Sequence, residues 1–133
     1  MLFRSTLGIV AVALVVVGLG TKVAAHHAFS SEYDEKNVMT ITGTISRVEW
    51  TNPHARFFLD VVNEDKTVTN WSVELASPNS LTREGWGRRT LNVGDKITTT
   101  GYGAKSGKSM VSATKVITGD GKALFTGTQN IQN

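Results

Sequence analysis

The sequence predicts an all-β protein: a small five-stranded OB-like barrel with one short helix, placed after an N-terminal signal peptide. Three observations predict it. The chain opens with one positive charge, an uncharged apolar run and small residues. From Val38 onward β-branched residues alternate with a period of two. That alternation is interrupted once by a segment with helix-capping chemistry, after the third strand and before the fourth.

The leader comes first. Arg4 precedes Thr6 to Gly20, a run holding Ile9, Val10, Val12, Leu14, Val15, Val16 and Val17 without a charge. Val23 and Ala25 supply the small side chains that signal peptidase needs, so residues 1–25 read as a signal peptide cut after Ala25. The run is short for a membrane span of roughly 20 residues, which disfavours an uncleaved anchor. The expected location is therefore periplasmic or secreted. The chain has no cysteine, which excludes disulfides and a lipidated leader. Without Arg4 and Lys22 the net charge falls from +3 to +1. Acids and bases alternate along the rest, which argues against a nucleic-acid partner.

Residues 26–37 are polar and aperiodic, and read as an extended arm that Phe29 and Tyr33 can pin to the body. Residues 38–125 form the barrel domain, and residues 126–133 a frayed polar tail. The first strand runs from Val38 to Trp50, with Gly43 predicting a bulge or sharp bend. Thr51-Asn52-Pro53-His54 turns the chain. Ala55 to Val62 and Thr67 to Leu75 are the second and third strands, joined by a hairpin at Asn63 to Lys66.

The period then changes. Ser77 can cap a short helix, Pro78 suits its first position, and Gly85 can end it. Strands follow at Ile97 to Gly103 and Ser109 to Ile117, with a short edge at Ala123 to Phe125. Three strands, a helix and two more strands is the order of an OB-type barrel, preferred here to an open β-sandwich. The Ser106-Gly107-Lys108-Ser109 run lacks the glycine spacing of a phosphate loop and lies between strands, so it reads as a hairpin loop.

The chain has three histidines: His26, His27 and His54. A mature N-terminal His26 offers an amine and an imidazole that chelate one ion together. The imidazole of His54 would complete a three-nitrogen site that suits copper better than zinc, with His27 as a substitute ligand. A straight first strand of ~12 residues spans roughly 40 Å. The arm of ~11 residues reaches about 36 Å, so this meeting requires a nearly straight return. The competing reading leaves the adjacent histidines solvated and His54 bracing the corner through a backbone carbonyl.

Among the carboxylates, Glu49 and Glu74 are the better site candidates because strands hold them firmly. The plainer reading pairs the acids with Arg47, Arg56 or Arg83. Trp50, Trp71 and Trp86 read first as packing residues and second as stacking surfaces.

Several motifs occur together: His-His-Ala-Phe-Ser-Ser-Glu-Tyr-Asp at 26–34, Gly43-Thr44-Ile45, Val48-Glu49-Trp50-Thr51-Asn52-Pro53-His54, Trp71-Ser72-Val73-Glu74, Ser77-Pro78, Leu81, Gly85-Trp86, Gly94-Asp95 and Gly103-Ala104-Lys105. From His26 to about Leu124 the chain resembles an exported bacterial family catalogued as domain of unknown function 6152. The resemblance implies export and a small β fold. It carries no activity, and it favours His26, His27, Glu49, Trp50, Asn52, His54, Glu74 and Trp86 as the residues to test. The functional expectation is an exported binding module. Its pocket would lie between the arm, the 50–54 corner and the 77–87 segment, and its ligand would be a metal ion such as copper or a small molecule. The alternatives are an envelope scaffold that binds a protein partner and, last, an enzyme.

Overall fold

The computed structural model describes residues 29–125. The described residues from Glu32 onward belong to one compact unit. Residues 29–32 form a single helical turn. Strand β1 (Tyr33–Glu49) follows at once, then β2 (Arg56–Val62), β3 (Val68–Glu74), helix α1 (Pro78–Arg83), β4 (Lys96–Ala104), β5 (Met110–Thr118) and β6 (Ala123–Phe125). The extended arm expected up to residue 37 is thus shorter. Tyr33 pairs with Ala104 of β4 and so already belongs to the sheet.

The strands lie in the order β3-β2-β1-β4-β5-β6, and β3 also pairs with β5. That last pairing is parallel, Ser72 to Glu74 against Met110 to Ser112, and it closes five strands into a ring. All other neighbours are antiparallel. The ring is the OB-type closure, with α1 between β3 and β4. The short β6 adds to the far half of β5.

A strand that serves two partners must curl. The first part of β1 pairs with β4 and the last part with β2, while Thr44 faces both Lys96 and Asp60. A Cβ on Gly43 would stand 2.5 Å from the Asp60 carbonyl oxygen, so only glycine admits that close approach. The bulge itself falls later, between Ile45 and Arg47. It explains the mixed alternation of the sequence. Ile41 and Ile45 point into the core before it, and Val48 packs against the core after it, on the opposite parity.

The core stacks Phe57, Val73 and Val111 across β2, β3 and β5, with Ile45, Leu59, Ile97 and Val116 around them. Helix α1 covers one end of the barrel with Leu81. Ser77 accepts a hydrogen bond from the Ser80 N–H, Pro78 fills the first turn, and Gly85 takes a left-handed φ of 89° just past the end. No helix among the described residues is long and apolar enough to cross a membrane.

Candidate functional site

One rung of the barrel's outer face carries the polar chemistry. Glu49, Arg56, Glu74 and Ser112 succeed one another across β1, β2, β3 and β5. Glu74 is only 5% exposed. Burying a carboxylate is costly unless charge and hydrogen bonds compensate it. Here Arg56 Nη2 lies 2.7 Å from Glu74 Oε2, and the Tyr33 hydroxyl donates to the same oxygen at 3.1 Å. Burial first, and the Glu74 charge second, pushes the Tyr33 phenol well above its ordinary range. Glu49 bonds Arg47 at 3.3 Å instead. Arg47 also lies over the Phe58 ring, 3.9 Å from its centroid.

This arrangement overturns the straight-strand estimate of the sequence. Glu49, at the end of β1, pairs with Arg56, while Tyr33, at the start of the same strand, reaches Glu74 on the neighbouring strand. The curl forced at Gly43 and the bulge brings both ends of β1 to one rung.

A shallow cleft opens beside that rung. Trp50, Arg56, Phe57, Leu75, Trp86 and Arg88 are among its lining residues. Its enclosed part is about 10 Å³, room for a single water. The loop carrying Arg88 is a tight turn: the Gly87 N–H donates to Thr90 Oγ1 and the Thr90 N–H returns to the Gly87 carbonyl. A wider groove of about 450 Å³ lies between Gly85, Trp86 and Thr90 on one side and Thr118, Lys122 and Leu124 on the other.

The expected site residues therefore divide. Trp50 is half-buried and Trp86 buried, and both line the cleft while packing on the core. Glu49 and Glu74 share the rung. Glu74 serves Arg56 and Tyr33 and so has a structural duty. Both acids take arginine partners, Glu49 with Arg47 and Glu74 with Arg56, while Arg83 pairs with neither. Asn52 is exposed in the corner and precedes Pro53 through a cis peptide, and His54 is half-buried beside it. His26 and His27 lie outside the described residues. Among the described residues no group of three or more His, Asp or Glu side chains could hold a metal ion. Sequence reasoning missed Arg88 as a cleft residue and saw Arg56 only as an ion-pair partner. The Gly-Trp-Gly-Arg loop was a usable signal for the first.

The fold and cleft define a small closed β-barrel with a shallow, partly cationic depression at one end. The chain belongs to the family of unknown function DUF6152, whose family model matches residues 13–113. No curated relative matches it.

Proposed function

We propose that the protein is exported, loses residues 1–25, and binds a metal ion, copper foremost. The His26 amine and imidazole and the His54 imidazole would be its ligands. One observation carries the reading: both ends of β1 meet at the Arg56–Glu74 rung. Arg56, on that rung, lies two residues from His54 in the chain. The seven or so residues from His26 to Tyr33 span at most roughly 25 Å, so the chain need not retrace the whole first strand. Three nitrogen donors of this kind suit copper. Glu49 is the better outer acceptor for a ligand imidazole, since Glu74 is committed to Tyr33 and Arg56.

Mass spectrometry of the exported protein tests the first half: it should begin at His26. Copper titration of that protein tests the second. Sub-micromolar binding is expected, weakened at least tenfold by His26→Ala or His54→Ala. A later start, or two variants that bind copper like the parent, removes the metal from the proposal. Capture of a single envelope protein in place of copper would favour the scaffold reading.

A further inference from the structure

We propose that the cleft between the 50–56 corner and the Gly87–Thr90 turn binds a planar aromatic carboxylate, independently of any metal. Three features of the cleft point to that chemistry. Its residues are apolar or cationic: Val48, Trp50, Leu75 and Trp86 stand with Arg56 and Arg88, and no carboxylate lines it among the described residues. An apolar lining that includes the half-buried Trp50 and the buried Trp86 suits a ring.

The charge balance selects a single negative charge. Arg56 is 33% exposed and its Nη2 is held by Glu74, which lies behind it and is buried. Its partner is therefore satisfied and its fork is fixed, leaving further N–H donors for a second acceptor. Glu49, directly across β1 and β2 from Arg56, is engaged by Arg47. Arg88 makes no ion pair among the described residues, so its charge is the uncompensated one.

The backbone that carries Arg88 is also fixed before binding. The turn that carries Arg88 is closed by two hydrogen bonds, and Asn92 Nδ2 ties the Arg89 carbonyl to it at 3.0 Å. Trp86, at the root of that turn, is packed in the core, and its backbone N–H donates to the Leu81 carbonyl. Little ordering therefore remains to be done on binding. The enclosed volume of about 10 Å³ cannot swallow a ring. The ligand lies across the cleft with its carboxylate toward the guanidinium groups. That shallow seat implies dissociation constants of roughly 0.1–1 mM.

Metal-stripped, ¹⁵N-labelled protein titrated with 2-naphthoate and with neutral 2-naphthamide provides the test, read on the tryptophan indole N–H signals. Naphthoate should shift the Trp50 and Trp86 signals, and naphthamide should bind at least fivefold more weakly. Arg88→Ala should weaken naphthoate at least threefold and leave naphthamide unchanged, while Arg88→Lys recovers part of the loss. Arg88 is exposed in its turn, so these variants keep the fold. Because the protein is stripped of metal, naphthoate binding here is read separately from the metal proposal. Equal binding of acid and amide, an Arg88→Ala protein indistinguishable from the parent, or no shift up to roughly 10 mM would each overturn the assignment.

Discussion

The Tyr33 hydroxyl donates to Glu74 Oε2 at 3.1 Å across 41 residues of chain. This one bond ties the first residue of β1 to the last residue of β3. Tyr33→Phe removes it without opening a cavity. A hydrogen bond to a charged acceptor contributes about 1.5–3 kcal/mol. Urea unfolding followed by circular dichroism should show a loss in that range with an unchanged m-value. A loss below about 0.5 kcal/mol would mean that the bond adds nothing to stability.

Tyr33 also sets an alkaline limit. Its phenol is held above the ordinary value near 10, by burial first and by the Glu74 charge second. Above pH 10 the unfolded chain loses this proton while the folded chain keeps it. The contribution is whole below about pH 10 and declines as pH rises toward the folded value. In a Tyr102→Phe protein, absorbance at 295 nm should stay flat past pH 10 and rise together with unfolding. A rise centred near pH 10 with the fold intact would contradict the burial of Tyr33.

Arg56 and Glu74 should behave as a unit. Removing one member of a buried pair costs about 3–5 kcal/mol, because the other charge is left behind. The partial exposure of Arg56 puts Arg56→Ala at the lower end, and Glu74→Ala, which leaves the Arg56 guanidinium still reaching water, lower still. A double-mutant cycle should give a coupling energy of about 1–3 kcal/mol. Additive single losses would show that the two side chains do not act together.

Two glycines admit no side chain. A Cβ on Gly43 would stand 2.5 Å from the Asp60 carbonyl oxygen, and one on Gly101 would stand 2.1 Å from that of Ser112. Both obstacles are backbone, so Gly43→Ala and Gly101→Ala should each cost about 1–3 kcal/mol or more. A Cβ on Gly87 meets nothing within 4 Å, and Gly87→Ala should stay within about 0.5 kcal/mol. Thermal melts of the three variants check the contrast.

Local chemistry made much of this fold readable. Ser77, Pro78 and Gly85 bounded α1, and turn residues separated the strands close to their observed ends. The order of elements sufficed for the closed topology. The bulge after Ile45 was not readable, because two mixed parities in β1 look like weak alternation until the register shift is known. The start of β1 was missed because Asp34 to Asn37 is polar: strand pairing with β4 overrides local propensity there. The site was legible by residue type but not by role. Glu74 stood out, yet that Tyr33 and Arg56 would claim it depends on strands far apart in sequence.

The parallel seam between β3 and β5 joins only Ser72 to Glu74 with Met110 to Ser112. It links segments separated by the helix and all of β4, so it rewards the chain only after the local hairpins have formed. Folding should therefore zip the β1–β2–β3 meander first and lock the ring last. Native-state amide exchange should find the stave that parts most readily at that same seam, well below the energy of global unfolding.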